Sequence, residues 1–481
     1  MKRRDFLRST GAAAAGLTLL GAAAPPRADR PNILLVLADD MTWHDCAPYG
    51  SRQARTPHMA ALARAGLCFD AMFTATAMCA PSRAQLYTGM YPVRNGAYPN
   101  HSRVYDGVRT LPHHLRALGY RVGLIGKTHF GPKPAFPFEI LKPRSGAKDG
   151  IDPAAIAEFV NRDRAQPYCL VVASHEPHGP WTRGNAGAYP PASLIVPPYL
   201  VDCPETRDHL AYYFAEITYL DNQLGQCLRI VDESGRRDNT IVLFTSEQGS
   251  GVVQGGKWSC YERGLMTACI VRWPERVKAG ARAAAMAQYV DLLPTLIEAA
   301  GGDPGAVETG RPDAQGRAGF DGRSLLGVLL GRTDKHRDYA YGLHTTRGII
   351  NGSPCYPVRS VRSDRYKYIR NLSHDAPFRN VVTENPDDLF QVWRKLGETD
   401  PFAAARVRLY QHRPAEELYD LERDPHELTN LAADPACAPI KQTLARELER
   451  WMAQQGDEGI ATEMRANERQ GKARQAAQEA D

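Results

Sequence analysis

In TAMCAPSRAQLYTG, residues 76–89, a cysteine stands two residues before a proline and four before an arginine. Pro81 suits a first helical turn, which has no use for the amide hydrogen that proline lacks. Cys79 then sits at a helix N-terminus among free backbone N–H groups, with Arg83 one turn on and on the same side. That place favours an anion. Asp39-Asp40 closes an apolar run. Adjacent carboxylates there invite a divalent cation with oxygen ligands, although a turn with a helix N-cap explains the pair equally well. Glu247-Gln248, in TSEQG, adds hard oxygens. With Asp39-Asp40 it makes a shell for Ca²⁺, or else Mg²⁺, and not for zinc. IGKTHFG carries Lys127 and His129, and SHEPHGPW carries His175 and His178. Pro177 makes the second stretch a loop, so one of its histidines is expected to act as an acid or base and not as half of a helical metal pair. Lys257, in GGKWSCYERG, is an isolated cation that joins Arg83 and Lys127 in neutralising an oxyanion. His101 and His344 are substrate-pocket candidates by placement only, with a surface position as the plainer reading.

For these groups to meet, the elements carrying them must end at one edge. Apolar runs at 33–38, 122–125, 168–173, 240–245 and 268–271 read as strands buried on both faces. Helical stretches at 58–65, 111–118 and 208–232 lie between them. In the last, Leu210, Phe214, Ile217, Leu224, Leu228 and Val231 recur at helical spacing. Strands alternating with helices predict an α/β fold around a large, mainly parallel sheet flanked by helices, and in such sheets working groups collect at strand carboxyl ends. The candidate clusters above stand at such ends or in the loops after them. From about 331 the texture changes. YPVRSVRSDRYKYIRN reads as a hairpin of half-exposed strands about Ser363-Asp364, within a smaller C-terminal α+β subdomain that includes a helix at 440–452. The expected organisation is a signal at 1–28, a catalytic domain at 29–330, the α+β subdomain at 331–455 and a solvated polar tail at 456–481.

The whole chain of 481 residues carries a net charge of +5. MKRRDFLRSTGAAAAGLTLLGAAAPPRADR has Arg3-Arg4 ahead of a short Ala/Gly-rich apolar run, the pattern of a twin-arginine export signal. That run is too short and too small-sided to span a bilayer stably. The expected location is periplasmic or secreted, with the twin-arginine machinery as a partner. Residues 1–28 hold five cations against Asp5, so about +1 remains on the mature chain. No overall basic field argues for nucleic acid, and an anionic substrate must be gripped by a local cluster. The ten cysteines include no CxxC pair, which argues against a zinc ribbon or a thioredoxin-like site.

Cys79, Pro81, Ser82, Arg83, Leu86, Thr88 and Gly89, within eleven positions, resemble the signature of the type I sulfatases. The strand-Asp-Asp, GKxH, HxPHxP and TS[DE]xG elements follow in the family's order, and the resemblance covers nearly all of 31–455. It implies an alkaline-phosphatase-like sandwich and a cysteine oxidised to Cα-formylglycine by a maturation enzyme that reads a label of which Pro81 and Arg83 are part. It further implies that Asp39, Asp40, residue 79, Glu247 and Gln248 hold the cation. One hydroxyl of the hydrated aldehyde attacks sulfur and loses its proton to Glu247, giving a covalent sulfoenzyme. Arg83, Lys127 and Lys257 stabilise the sulfuryl oxygens, His178 protonates the leaving group, and His129 receives the proton that releases sulfate. Stretches such as ARTPHMAALARAGLCFDAMFT and CYPVRSVRSDRYKYIRNL are similar to the heparan N-sulfatase branch, which implies a glycosaminoglycan-type sulfate ester or sulfamate as substrate. That branch has Asp-Asn where this chain has Glu247-Gln248, and GLHTTRGIINGSP departs from its pattern. A phosphonate monoester hydrolase or phosphodiesterase with the same nucleophile and metal set remains an alternative. So does a carbohydrate-binding protein with a degenerate site.

Overall fold

The computed structural model describes residues 30–144, 150–254 and 256–470. The expected export signal lies outside them. β1 (Asn32–Ala38) is buried along its whole length. Leu34, Val36 and Ala38 join one apolar cluster while Ile33 and Leu35 join another. This is the alternation of a strand covered on both faces. Around it the sheet adds β2 (Leu67–Phe69), β4 (Arg121–Gly126), β5 (Glu139–Ile140), β6 (Tyr168–Ala173), β7 (Thr240–Ser246), β8 (Cys269–Arg272) and β9 (Ala281–Ala283). The spatial order is β5-β4-β6-β1-β7-β8-β2-β9. β1, β4, β5, β6 and β7 run parallel, and β8 is antiparallel to both its neighbours. β3 (Met72–Phe73) and β10 (Ala287–Gln288) form a separate two-stranded ribbon. The five runs read as strands are thus β1, β4, β6, β7 and β8.

Helices cover both faces. On one side lie Pro57–Arg64, Pro153–Asn161 and the 30-residue helix Pro204–Glu233, whose stripe from Leu210 to Val231 is buried as its spacing predicts. On the other lie Cys79–Thr88, Leu111–Ala117 and Leu292–Ala299. Among the described residues no helix is long and apolar enough to cross a membrane.

A second sheet follows, antiparallel, in the order β11 (Ala340–His344), β12 (Val358–Arg362), β13 (Tyr366–Asn371), β14 (Glu416–Asp420). The helix Ala438–Gln455 covers one face through Leu444, Leu448 and Trp451. Two expectations are corrected here. The hairpin β12–β13 turns about Ser363-Asp364 as read, but it is not half exposed. Arg359 and Lys367, whose charges suggested a wet face, are buried and neutralised, Arg359 by Asp457 and Lys367 by Glu262. Residues 457–470 are likewise not a solvated tail. Asp457 and Glu463 are buried, and Glu463 accepts hydrogen bonds from the backbone and hydroxyl of Thr346. The polar composition of this segment reflects ion pairs and hydrogen bonds turned inward.

Candidate active site

Three parallel strands deliver the site, β7 beside β1 and β4 one strand further out, across β6. β1 ends in Asp39-Asp40, β4 in Lys127, and β7 in Glu247-Gln248. Backbone hydrogen bonds lace these ends together: Asp39 N–H donates to Glu176 O, Lys127 N–H to Ala173 O, and Glu247 N–H to Ala38 O. Gly126 turns β4 into the lysine with φ of 93°, and a side chain there would collide with Ala173 O. Gly249 packs against Arg263 O so closely that a Cβ has no room. The helix Cys79–Thr88 begins at the cysteine, as Pro81 predicts, and stops at Gly89 in the left-handed conformation. Ser82 ties this helix to the sheet, its hydroxyl donating to Glu247 O at 2.6 Å. The sequence reading assigned Ser82 no place in the site itself. Only the assembled fold shows that it fixes the glutamate loop.

One ligand atom each from Asp39, Asp40, Cys79 and Glu247 lies within 4.8 Å of all the others, and all four residues are buried. Cys79 Sγ is 3.8 Å from Asp39 Oδ1 and 3.3 Å from Gln248 Nε2. Three cations enclose the group. Arg83, wholly buried, pairs through Nε with Glu247 and donates to Lys127 O at 3.2 Å. Lys127 pairs with Asp39, and Lys257 Nζ is 2.5 Å from Asp40 Oδ2. Lys257, an isolated cation along the chain, is therefore buried as part of the cluster.

The electrostatics follow from burial. Burial raises the Cys79 pKa, with Glu247 adding to the rise and Lys257 and Lys127 opposing it. As a thiol, Cys79 stays protonated and is a poor nucleophile. Burial and then Glu247 raise the Asp39 pKa. Burial pushes the other way on Glu247, yet Arg83 and Lys127 prevail and hold it at about 2. Burial also works against the charge on Lys127 and Lys257, and the neighbouring carboxylates outweigh it, so both pKa values are raised.

The donor set fits a hard divalent cation. Three carboxylates and an amide offer oxygen, the donor type that such a cation takes. Gln248 supplies a further sign. Its Nε2 donates to Asp40 at 2.7 Å and to Glu247 at 3.0 Å, while its Oε1 is buried with no partner. Rotating the amide by half a turn aims that orphan oxygen at the carboxylates, an arrangement that suits a cation between them.

Beside this cluster opens a cavity of about 910 Å³, lined among others by Asp39, Lys127, His101, His129, His175 and His178. His178 Nδ1 is 2.6 Å from Gly179 O. A carbonyl only accepts, so Nδ1 carries a hydrogen. Nε2, 3.6 Å from Asp40 Oδ2, is then the atom that exchanges a proton with the site. His129 Nε2 meets His101 Nδ1 at 2.9 Å. Burial, Lys127 and His101 lower the His129 pKa to about 2, which keeps the ring neutral. Arg183 and Thr182 also line the cavity, and the sequence reading missed both, since neither belongs to a motif. His344 does not reach the site. It is buried at the end of β11 against Phe378 and is a core residue of the second sheet, neither a pocket residue nor a surface one.

Comparison with known proteins agrees with this arrangement. The Sulfatase family model matches residues 31–302, which contain every strand of the large sheet. The chain is similar to an ulvan-active sulfatase of Formosa agariphila, 32% identical over 437 residues that cover 89% of this chain and 81% of the relative. It is also similar to the N-sulphoglucosamine sulphohydrolase of Homo sapiens, 30% identical over 464 residues that cover 88% of this chain and 90% of the relative. A solved structure of a complex with its substrate D-glucosamine-2-N,6-O-disulfate superposes with a TM-score of 0.68 at 20% identity, covering 90% of this chain and 99% of the other. That likeness shows the alkaline-phosphatase-like architecture expected from the motifs. With a family match over more than half its length and two relatives at 30% identity or above, this chain belongs to the sulfatase family.

Proposed function

We propose that this sulfatase removes sulfate ester or sulfamate groups from a sulfated saccharide of glycosaminoglycan type, using residue 79 as Cα-formylglycine. One observation carries the reading. Cys79 is buried where three carboxylates and three cations converge, beside a cavity of about 910 Å³. The similar proteins support a saccharide substrate, since one is named ulvan-active, another an N-sulphoglucosamine sulphohydrolase, and a third was solved with a glucosamine disulfate.

The hydrated aldehyde supplies an oxygen nucleophile that the protonated thiol does not. A Ca²⁺ ion held by Asp39, Asp40, Glu247 and Gln248 would supply Lewis-acid polarisation of the sulfuryl group. Every other task falls to this chain's side chains. Arg83, Lys127 and Lys257 hold negative charge as it grows on the sulfuryl oxygens. The carboxylate of Glu247, next to position 79, takes the proton of the attacking hydroxyl. His178 delivers a proton from Nε2 to the leaving oxygen or nitrogen. Neutral His129, aligned by His101, relays the proton whose loss frees sulfate toward the cavity without keeping it, since its pKa is held at about 2. One general acid gives ~10²–10⁴-fold, about 3–5 kcal/mol, against the roughly 8–23 kcal/mol an enzyme must remove. The covalent step and the cation cluster therefore supply most of the acceleration. Export by the twin-arginine route to the periplasm or medium, after maturation, completes the proposal.

The test joins two measurements. Mass spectrometry of the Cys79 peptide, from a host with maturation capacity, is expected to show aldehyde in place of thiol. Defined sulfated oligosaccharides are expected to release sulfate, and the Cys79→Ala variant to release none while keeping its fold. Retained turnover in that variant would remove the nucleophile. Faster hydrolysis of bis-p-nitrophenyl phosphate than of p-nitrophenyl sulfate would favour the phosphonate monoester hydrolase alternative.

A further inference from the structure

Beside Lys257 lies a second, much smaller space, which shares no lining residue with the histidine-lined cavity. It measures about 10 Å³, roughly the room one water-sized sphere needs. Lys257, Arg263 and Arg413 line it, with Ser259, Tyr261 and Gln254, and no carboxylate does among the described residues. The three cations are unequally neutralised. Lys257 has Asp40 at 2.5 Å. Arg263 reaches Glu427 only at 3.7 Å and shares it with Lys367 at 3.4 Å. Arg413 is 4% exposed and has no carboxylate within ion-pair distance among the described residues, and its Nε has no hydrogen-bond partner. Glu417, whose charge favours that of Arg413, is engaged elsewhere, accepting from Tyr261, Tyr419 and Asn371.

Aromatic faces are the contact that remains to Arg413. Its guanidinium lies 4.1 Å from the Phe378 ring centroid and 5.7 Å from that of Tyr410. Such contacts do not by themselves offset the cost of burying an ion without a counter-charge. Arg406, whose carbonyl accepts from the Gln254 side chain, adds another guanidinium with Nε and Nη1 buried and unpartnered. The neighbourhood is rich in N–H donors and short of negative charge.

We propose that this cavity is a binding site for a single monatomic anion, chloride in ordinary media, held chiefly by Arg413 with Arg263 and Lys257. It shares no lining residue with the histidine-lined cavity, and no carboxylate borders it among the described residues, so the site is distinct from the one proposed to handle the reaction product. Because Lys257 borders both places, the anion and the catalytic cluster share one cation.

Crystals of the full chain soaked in sodium bromide test this directly. An anomalous bromine peak is expected between Arg413, Arg263 and Lys257. A map without that peak, with a neutral water on Gln254 Oε1 in its place, overturns the proposal. In solution, at fixed ionic strength, replacing acetate by chloride is expected to raise Tm more for the wild type than for Arg413→Met, by an amount that grows with the logarithm of chloride concentration. Equal responses in the two proteins would also overturn it. If Arg413→Met does not fold, the bromide map on the wild type decides alone.

Discussion

The hydrogen bond from His178 Nδ1 to Gly179 O selects which ring nitrogen faces the site. That selection makes a separable prediction. His178→Gln is expected to lower kcat by ~10²–10⁴-fold on a saccharide sulfate, whose alkoxide leaves badly without a proton. On p-nitrophenyl sulfate, whose phenolate leaves unaided, the loss is expected to be far smaller. Measuring both substrates checks the assignment, and equal losses would mean that His178 positions the substrate and protonates nothing. The same scale holds the metal prediction. Gln248 is the neutral member of the donor set, and its oxygen is the orphan. Chelation of divalent ions is expected to abolish turnover and added Ca²⁺ to restore it. Gln248→Leu, which keeps the bulk and removes the oxygen, is expected to raise the Ca²⁺ concentration needed for half-activity. An unchanged Ca²⁺ midpoint would take Gln248 out of the shell.

At the scale of elements, precision comes from how strand ends and loops are tied. The Glu247-Gln248 loop leaves β7 through Gly249, pressed on Arg263 O, and is held from the other side by Ser82. Gly249→Ala forces the loop away from Arg263. The expected result is a loss of Ca²⁺ affinity of roughly 10–100-fold, the usual cost of disturbing a group that orients metal ligands, read from a Ca²⁺ titration of activity. The second sheet is joined to the first domain by a buried charge group in which Lys367 sits between Glu262 and Glu427. Two carboxylates around one lysine cannot both ionise at no cost. Burial pushes Glu427 up to about 7, Lys367 opposing and Glu262 reinforcing the shift. Its folded pKa lies above its unfolded one. The stability tied to its proton is therefore present below the unfolded pKa, about 4.5, and is lost as pH rises through 7. Glu427→Gln mimics the protonated form. Its Tm is expected to exceed that of the wild type at pH 8, with the two converging at pH 5, and a difference that does not depend on pH would contradict this titration.

For the whole molecule, the second sheet and the segment after Gly456 are parts of one packed body. Asp457 neutralises Arg359 at zero exposure in the middle strands, and Glu463 caps the turn at Thr346. Removing one partner of a buried pair costs about 3–5 kcal/mol. Asp457→Ala, or truncation after Gly456, is expected to lower Tm by several degrees and to shed the C-terminal sheet first, as amide exchange in β12 and β13 would show. A truncated chain with the Tm of the full protein would mean that the segment is dispensable.

Much of this was legible from order along the chain. Unbroken apolar runs mark strands covered on both faces, the spacing from Leu210 to Val231 marks a helix face, and Pro81 marks where the cysteine's helix starts. Residue type also pointed to Asp39, Asp40 and Glu247 as candidate cation ligands, since they offer hard oxygen, and the fold brings the three together. The sequence by itself thus determined the architecture and the chemical kinds of group available, because period and donor type are local properties. Only the tertiary structure decided which charges face inward. Arg359, Lys367 and Asp457 look solvated in a linear reading and are buried, because each meets its counter-ion from a distant segment. His344, grouped with the pocket histidines by its place in the sequence, lies in the core, while Thr182 and Arg183 line the cavity with no motif to announce them, and Ser82, though inside the signature, shows its tie to the Glu247 loop only in the fold. The physical reason is the same in every case: the fate of a polar side chain depends on partners tens or hundreds of residues away, and no local pattern encodes them.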